Sequence, residues 1–576
     1  MMMRRIAPML MVSLCLVTFG LAMGCGGEDE EGEGQDNECE VRDQCEPDEC
    51  GEVDDGCGGT LDCGECPCQD GQPQSETCGD CDLGILHCDD GETGMGNCEE
   101  KPEIPGYDGN CDELVFVSHA EGSPQGVGTS DDPVDTIDDA LHIAHTDEAV
   151  ALIVGGSETY DDPVVIEQQL SVIGGYDDHF VRDTDEIATI LGGQSVDGLE
   201  DGDIVGLSSQ GVSEEHRVSH LEVETIDVFE DGANNYGVYV YLSSGLVLEE
   251  VEVAAGRGGD GADGEDGANG EDGEDGGDGS TPSGISNDPS AGDGGENPGC
   301  SDEYTQGADG GLGGTPDDDP YSGFDSEEAD GGSSGSNSGS ATDRGGKAGE
   351  NGPSASQDGE DGIGGELDGE VSEGRWHSLG GGEAGEDGDP GAGGGGGGGG
   401  GIDPEWTDDE DSYRAAGSGG GGGGAGGCGG QGGEGGQAGG GSFGLFVVAA
   451  DIDVIESSIF ANLGGSGGDG GLGGQGGAGG VGGESAETRG GVTLGSSTDY
   501  HIYERGGFGG DGGDGTAGGD GGGGAGGVSY GAYCSDAVIN TEGTVRFNAG
   551  GSASGGSSPD GGSGEDGLEE DEYGCQ

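Results

Sequence analysis

Residues 235–256 have the sequence NYGVYVYLSSGLVLEEVEVAAG, and this pattern recurs twice further along the chain. The other copies are SFGLFVVAADIDVIESSIFANLG at 442–464 and SYGAYCSDAVINTEGTVRFNAG at 529–550, which align with the first after one single-residue insertion. Each copy begins with a polar residue, an aromatic residue and glycine, passes through two β-like stretches and ends in glycine. Because repeats that cannot bury a core alone do so by stacking, we expect the copies to be coils of one β-solenoid.

Long glycine-rich segments separate the three copies. We predict a solenoid core at 115–256 and two further rungs at 442–463 and 528–549, with insertions at 257–441 and 464–527 and a glycine-rich, acidic tail at 550–576. Insertions of this length are compatible with one solenoid, since the free energy of closing a loop grows only with the logarithm of its length.

The first insertion opens with GGDGADGEDGANGEDGEDGGDG at 258–279, in which glycine occupies every third position. Collagen uses that spacing, but a chain with only 18 prolines does not have a collagen composition. A calcium-binding roll repeats every nine residues, and this tract repeats every three. Two alternatives stay open for the glycine tracts. One is disorder, which low hydrophobicity and high charge favour, and the other is a bundle of extended three-residue helices.

The N-terminus has the layout of an export signal at 1–24, with Arg4 and Arg5 before an apolar run that ends in Gly24. The junction resembles the lipobox of bacterial lipoproteins, which implies that Cys25 is acylated and that residues 25–38 form an acidic tether. Gly26 after that cysteine implies the outer membrane. The alternative is cleavage after Ala22-Met23-Gly24, which would give a secreted protein.

Residues 39–111 are rich in cysteine and poor in apolar residues, which in an exported chain indicates a disulfide framework. Cys15 lies in the signal and Cys25 carries the lipid, so 16 of the 18 cysteines remain and can pair completely. Zinc at Cys63-x-x-Cys66 or Cys78-x-x-Cys81 is disfavoured, since only His87 lies nearby. The pairing stays open for the cysteines of this module: Cys39, Cys45, Cys50, Cys57, Cys63, Cys66, Cys68, Cys78, Cys81, Cys88, Cys98 and Cys111.

Two stretches of this module resemble known segments. CEPDECGEVDDGCGGTLDCGEC at 45–66 resembles Cys-rich modules near the N-termini of surface proteins from myxobacteria and their relatives. The stretch at 81–113 is similar to a metal-binding repeat found beside them, but its ending, YDGNCDE, departs from that repeat's pattern.

The segment VFVSHAEGSPQGVGTSDDPVDTIDDALHIAH at 115–145 resembles the start of a right-handed parallel β-helix of the pectate-lyase-like type. Thr136 and Asp139 form a helix-start signal, and Ile137, Leu141 and Ala144 share one face of a short helix. We expect this helix to cover the first rung. The predicted fold class is therefore all-β: a short right-handed parallel β-helix with long glycine-rich, collagen-like insertions, extended or disordered, and an N-terminal disulfide-rich segment.

Many β-helices are polysaccharide lyases or hydrolases, which need a basic residue or paired carboxylates. Before the first insertion, the solenoid core has only two basic residues, Arg182 and Arg217. The acidic residues near Arg182 are explained by composition, and the three histidines of this region are predicted to face solvent. These residues are Asp177, Asp178, Asp183, Asp185, His179, His216 and His220. We predict no catalytic, cofactor-binding or metal-binding residue.

The charge balance restricts the possible partners. A net charge of -109 with only 14 Lys and Arg residues disfavours nucleic acids and anionic lipid headgroups. We expect a non-catalytic, lipid-anchored cell-surface protein of structural or adhesive type, with the membrane, surface glycans or other surface proteins as partners. The alternatives are a carbohydrate-binding or carbohydrate-active β-helix and a cation-binding surface protein. No cofactor is expected beyond non-specific Ca²⁺.

Overall fold

The computed structural model describes two compact units. The described residues are 52–54, 60–62, 77–78, 81, 83–87, 97–99, and 102–576 apart from 197, 201, 282–288, 298, 301–302, 316–317, 337–343, 402–416 and 487–503. The first unit comprises 1–74 and 88–96 and contains one antiparallel pair, β1 (Glu52–Asp54) and β2 (Thr60–Asp62). The second unit comprises 75–87 and 97–576 and holds every other element below.

The second unit begins with a small antiparallel sheet and a single α-helix among its described residues. The sheet consists of β3 (Thr77–Cys78), β4 (Gly84–His87) and β5 (Asn97–Glu99). A 3-10 helix at Cys111–Glu113 precedes β6 (Leu114–Ser118), and α1 spans Ile137–Asp147. No helix within the described part of the chain is long and apolar enough to cross a bilayer.

The remaining strands form two parallel sheets and one hairpin. They are β7 (Ala151–Gly155), β8 (Thr159–Tyr160), β9 (Val164–Ile166), β10 (Ser171–Tyr176), β11 (Ala188–Gly192), β12 (Ile204–Gln210), β13 (His216–Thr225), β14 (Asn235–Tyr241), β15 (Leu246–Ala254), β16 (Gly369–Ser372), β17 (Arg375–Ser378), β18 (Ser442–Val448), β19 (Asp451–Ile455), β20 (Ser458–Phe460), β21 (Ser529–Ser535), β22 (Val538–Glu542), β23 (Arg546–Asn548) and β24 (Glu569–Tyr573).

The chain alternates between the two parallel sheets. The first sheet has the order β22-β19-β15-β13-β10-β7-β6, with β8, β11, β20 and β23 beside this path. The second sheet has the order β24-β21-β18-β14-β12-β9. Inward-facing aliphatic side chains of both sheets form one core, which includes Val164, Leu207, Val238, Leu248 and Leu445. The prediction of an all-β chain with parallel sheets is confirmed.

Helix α1 begins where the sequence predicts. Thr136 is the N-cap, and its Oγ1 accepts a hydrogen bond of 3.2 Å from the backbone N–H of Asp139. Ile137, Ala140 and Ala144 are buried against the core. The helix packs against β6, the edge strand of the first sheet. The outer edge of β6 bonds to Gly128 and Val134, which protects that edge from pairing with another chain.

The three sequence copies lie side by side as β14, β18 and β21, in parallel register. Tyr236 is opposite Phe443, which is opposite Tyr530. The polar residue before each aromatic residue is buried and ties neighbouring coils together. Ser442 donates to the carbonyl of Gly256 at 2.8 Å, and Ser529 donates to that of Asn462 at 2.7 Å. The glycine after each aromatic residue lies where a Cβ atom would meet the next coil; at Gly444 it would lie 2.7 Å from the carbonyl oxygen of Gly531.

Two series of residues in the left-handed backbone conformation mark the corners between strands. One series consists of Gly175, His220, Glu250, Glu456 and Gly543, and the other consists of Gly211, Leu242, Ala449 and Asp536. From His220 onward in the first series and throughout the second, successive members directly follow residues that pair with each other in the sheets, and Gly175 lies one residue beyond the position opposite His220. Since left-handed backbone is costly for residues other than glycine, its repetition at the same place shows that the stacked coils impose the turn.

The described glycine tracts form a hydrogen-bonded bundle, the second of the two alternatives that the sequence leaves open. Every third amide of the tract 258–279 donates to the tract 464–484, from Gly261 to Ser466 at 2.7 Å through to Gly279 to Glu484 at 2.9 Å. None of these residues is assigned to a helix or strand. A repeat of three residues is that of a polyproline-type helix, in which the backbone has no internal hydrogen bonds and can bond to neighbours.

Residues 417–440, called the central tract below, occupy the interior of the bundle. Their amides donate to residues within 259–280, 305–314 and 504–525, and their carbonyls accept from 292–295, 382–400 and 465–483. Six segments therefore bond to one. Residues 417–428 are all buried, and a Cβ atom on Gly424 would lie 2.0 Å from the carbonyl oxygen of Gly480. Glycine is needed at most of these positions because a Cβ atom there would lie too close to the backbone of a neighbouring tract.

Candidate functional site

The two arginines of the solenoid core have structural partners. Arg182 is buried, lies over the ring of Tyr176 and donates to the carbonyl of Gly174 at 2.5 Å. Arg217 is buried and pairs with Glu249 and with Glu103, the latter at 3.5 Å. Neither guanidinium group is presented at the surface as the basic residue of a lyase would be.

The expectation that three histidines face solvent is wrong for His216, which is buried, and the side chain of His220 is only 12% exposed. His179 is exposed and His220 lies at a corner, where it pairs with Glu250 at 3.1 Å. His216 is 0% exposed; its Nε2 lies 2.9 Å from Ser209 Oγ, and its Nδ1 lies 2.9 Å from the carbonyl oxygen of Glu214. Burial lowers the pKa of His216. The left-handed backbone at His220 breaks the strand's alternation, so the two histidines do not share one side.

The acidic residues near Arg182 shape turns. Asp177 Oδ1 accepts hydrogen bonds of 2.9 Å from the backbone N–H groups of both His179 and Val181. Asp183 Oδ1 accepts from the N–H of Asp185 at 3.1 Å, and Asp178 Oδ1 accepts from Ser118 Oγ at 3.4 Å. Short acidic side chains that bond to the backbone two residues ahead are typical of turns.

The cysteines of the N-terminal module lie largely outside the described residues, as do the signal, Cys25 and the tether. Cys81 and Cys111 are described and form a disulfide, so Cys81 is not a zinc ligand. Two further disulfides, Cys300–Cys428 and Cys534–Cys575, lie outside that module. Within the described part of the chain, no three His, Cys, Asp or Glu side chains are grouped as a metal ion would require.

One cleft, of about 530 Å³, lies between α1 and β9. His142 and His145 line it from the helix, and Asp162 and Glu167 line it from the strand and its approach. Burial raises the pKa of Asp162, with a smaller contribution from the carboxylate of Asp138. The described lining includes no lysine or arginine, so the cleft lacks the cation that neutralises a uronate substrate.

A second cleft, of about 300 Å³ and called the hairpin cleft below, lies where the β16–β17 hairpin meets the second sheet and the bundle. The hairpin belongs to the first insertion and was not predicted. The cleft is lined by Glu200, Asp231, Gly232, Asn234, Trp376, His377, Ser378, Gly381, Gln437 and Ala438. These residues come from four segments that are far apart in the sequence.

Asn234 holds three of those segments together. Its Nδ2 donates to the carbonyl of Trp376 at 3.1 Å, and its Oδ1 accepts from the N–H of Gly441 at 2.8 Å. Its backbone N–H donates to Asp203 Oδ1 at 2.7 Å. Asp203 is 1% exposed, and burial raises the pKa of its carboxyl group to about 6, although the hydrogen bonds from Asn234 and Glu200 oppose the shift.

Charged side chains surround the mouth of the hairpin cleft. Glu200 lies 3.5 Å from the guanidinium of Arg375 and 3.6 Å from Nδ1 of His377. Arg375 also lies 3.6 Å from Glu373. The arginine is therefore balanced by two carboxylates of the protein and does not present an uncompensated positive charge.

Trp376 anchors the hairpin on a set of stacked aromatic rings. Tyr239, Phe446, Tyr533 and Tyr573 stack nearly parallel, with centroid separations of 5.0 to 6.0 Å between neighbours. The Trp376 ring meets Tyr533 edge-on at 5.5 Å. The sequence contains the signal for this row, since an aromatic residue occupies the fifth position of every copy, but nothing in it connects Trp376 to the row.

Regularly spaced aspartates of the acidic tract bond to the neighbouring tract. The third residue of each triplet from 260 to 278 is Asp or Asn, and its Oδ1 accepts a backbone N–H from 466–484 at 2.7 to 2.9 Å. The acceptors are Asp260, Asp263, Asp266, Asn269, Asp272, Asp275 and Asp278. The carboxylates that a calcium site would use are therefore partly engaged with the protein's own amides.

Comparisons with known proteins give little guidance. No family model matches the sequence, and no curated protein matches it. Two crystal structures of a GH136 lacto-N-biosidase from Eubacterium ramulus, a selenomethionine derivative and the native protein, are similar with TM-scores of 0.15 and 0.13 and identities of 10% and 8%. Each match covers 24% of this chain and 30% of that chain. A likeness this weak carries no argument about fold or activity.

Proposed function

We propose that the two parallel sheets are walls of a short right-handed parallel β-helix of the pectate-lyase-like type. Consecutive strands alternate between the sheets, as in β12 to β13 and β14 to β15. The two series of left-handed corners repeat from coil to coil. Right-handed connections are the rule for parallel strands, which supports the proposed hand.

On that scaffold we propose a non-catalytic structural or adhesive role, in which the protein displays an ordered glycine bundle. One observation carries the proposal. The two insertions and the tail begin after equivalent positions of successive coils and bond to each other, as where Gly261 of the first insertion donates to Ser466 of the second at 2.7 Å and Gly467 of the second donates to Ser554 of the tail at 2.9 Å. Hydrogen-bonded tracts with carboxylates on their outer positions form a stiff, soluble surface suited to display.

The placement of basic residues supports a non-catalytic protein. An enzyme acting on polysaccharides would be expected to direct carboxylates and a basic group into one groove. Here Arg182 and Arg217 are buried in structural contacts, and Arg375 is paired with Glu200 and Glu373.

The proposed location is the cell surface, through export and acylation of Cys25 at the outer membrane. Mass spectrometry of the mature N-terminus tests this part separately. A diacylglyceryl cysteine at position 25 supports the anchor, and a free N-terminus at residue 25 or beyond contradicts it.

An adhesion assay tests the functional proposal. Beads coated with the full mature chain are compared with beads coated with Gly424→Val, which places a side chain where the central tract contacts 465–483. We expect wild-type beads to attach to cell surfaces and the variant to lose attachment while circular dichroism shows that the sheets persist. Equal attachment of both beads, or release of reducing ends from a panel of polysaccharides, would contradict the proposal.

A further inference from the structure

The hairpin cleft has rigid walls, a first requirement of a binding site. Asn234 joins the cleft's sheet strand to the hairpin and to the end of the central tract through bonds of 2.8 and 3.1 Å. Ser378 Oγ donates to the carbonyl of Gly439 at 3.0 Å and accepts from Trp376 Nε1 at 3.2 Å. Both walls are therefore fixed before any ligand arrives, which lowers the entropic cost of binding.

The groups around the cleft include both hydrogen-bond donors and acceptors. Glu200 and Asp231 supply carboxylate acceptors, Gln437 supplies a carboxamide and His377 supplies an imidazole. Glu200, Asp231 and Gln437 are exposed at the mouth, so a ligand can reach them. A ligand whose own groups both donate and accept suits this lining, and sugar hydroxyl groups have that property.

Charge and size narrow the class of ligand. Two carboxylates at the mouth and a net charge of -109 disfavour anions. A cation gains little at Glu200, which already pairs with Arg375. A volume of about 300 Å³ is at the lower end for small-molecule sites, which suits one ring and not an oligosaccharide.

We infer that the hairpin cleft binds a single neutral sugar residue, the terminal unit of a surface glycan. The inference rests on the proposed adhesive role and adds a location and a ligand class to it. The site lies where the second sheet, the hairpin and the bundle meet. A glycan bound there would therefore be held next to the bundle that the protein displays.

The test uses the full mature chain, four neutral monosaccharides (glucose, galactose, mannose and N-acetylglucosamine) and the positively charged glucosamine. Binding is measured by calorimetry and by the tryptophan fluorescence change expected from Trp376. We expect at least one sugar to bind in the millimolar range, and D231A/Q437A to weaken that binding about tenfold or more. The matched control is E265A/Q475A, which removes the same types of group from exposed positions in the bundle and is expected to bind as wild type.

Three outcomes would overturn the inference: no sugar binds, D231A/Q437A binds as tightly as wild type, or glucosamine binds while the neutral sugars do not. The bead assay separates this failure from failure of the proposed function. If D231A/Q437A beads attach as wild type while Gly424→Val beads do not, adhesion through the bundle stands and the sugar site is rejected.

Discussion

Asp203 is a buried carboxylic acid whose ionisation opposes folding. Its pKa is raised to about 6 from an ordinary value of 3.8. Burial destabilises the ionised carboxylate by more than the hydrogen bonds from Asn234 stabilise it. A carboxyl group whose pKa is higher in the folded state makes its full contribution to stability at a pH below its pKa in the unfolded state. That contribution is lost as the pH rises through the folded pKa.

We therefore expect the stability difference between wild type and Asp203→Asn to depend on pH. Relative to the variant, wild type should lose up to about 3 kcal/mol in free energy of unfolding between about pH 4 and pH 7. Chemical denaturation of both proteins across this range measures the effect. The comparison with the variant is essential, because the sequence has 123 acidic residues and the pH dependence that the others cause is common to both proteins. A difference that does not change with pH would contradict the raised pKa.

Leu242 is a leucine in a conformation that suits glycine. Its φ is +51°, and 55% of its surface is exposed, so little burial is lost by removing the side chain. Leu242→Gly should raise the free energy of unfolding by about 0.5–1 kcal/mol, because the left-handed penalty exceeds glycine's entropic cost. Thermal unfolding of wild type and variant measures this change in stability. Glu252→Gly, at an exposed position inside β15, is the control and should destabilise the protein by a similar amount.

Single residues were the hardest features to predict from the sequence. His216 occupies a polar position in a strand, and its burial depends on Ser209 in another strand, which no local pattern indicates. Trp376 lies in a hairpin inside an insertion that was expected to be glycine-rich throughout. In both cases the partner is distant in sequence, and periodicity describes only the local faces of an element.

Among the elements, the acidic tract 258–279 has two kinds of contact with its neighbour. Glycine amides donate outward, and Asp or Asn side chains accept amides in return. The side chain must be short to reach the adjacent backbone, which explains why glutamate occurs only at the second position of the triplets in 260–278.

Replacing the tract's aspartates tests this interpretation. With all six changed to Asn, the neighbouring amides should stay protected from hydrogen exchange, since the Oδ1 acceptor remains. With all six changed to Ala, those amides should exchange faster. The amides to follow by mass spectrometry or NMR are those of Ser466, Asp469, Leu472, Ala478, Val481 and Glu484, and the amide of Gln475, which donates to the unchanged Asn269, is the internal control. Equal exchange in the two variants would show that the side chains are dispensable.

The central tract should tolerate no added side chain at its close contacts. In Gly427→Ala the new Cβ would lie 2.1 Å from the carbonyl oxygen of Gly477. The backbone must shift, and we expect a loss of about 1–3 kcal/mol in thermal unfolding. Gly381→Ala is the matched control, since its nearest atom would be 3.7 Å away, and it should be nearly neutral. A destabilisation equal to that of Gly427→Ala would contradict the packing described above.

For strands, helices and tracts, the sequence was more informative than it was for single residues. The three copies and the helix start at Thr136 could be identified because both are local patterns. Whether the tracts are ordered could not be decided, since order depends on several distant tracts bonding at once. The Asp or Asn at each third position was a visible signal of that order, but its meaning requires knowing which tract lies alongside.

Across the whole second unit, two disulfides connect parts that lie far apart in sequence. Cys300–Cys428 joins the central tract to a residue 128 positions earlier. Cys534–Cys575 joins β21 to the end of the chain, 41 positions later, beyond the edge strand β24. Every residue of β24 is exposed, so little burial holds that strand in place.

We expect C534A/C575A to lower the free energy of unfolding by up to about 4 kcal/mol, the loop-closure value for this separation. Faster hydrogen exchange at Glu569–Tyr573 should accompany the loss, because β24 is then held by its pairing with β21, the stacking of Tyr573 and the bond from Ala549 to Asp571, without a covalent link. C300A/C428A is the comparison and should leave exchange in β24 unchanged. If both double variants affect β24 equally, the second disulfide has no local role.

The glycine interior of the bundle has a thermodynamic consequence. Unfolding exposes peptide groups there with almost no apolar side chains, and exposed polar surface lowers the heat capacity where apolar surface raises it. Calorimetry should therefore find a heat-capacity increment below the usual ~12–15 cal/mol/K per residue. The bundle's stability curve would then be flatter than that of the aliphatic coils, and cooling would weaken the coils before it weakens the bundle.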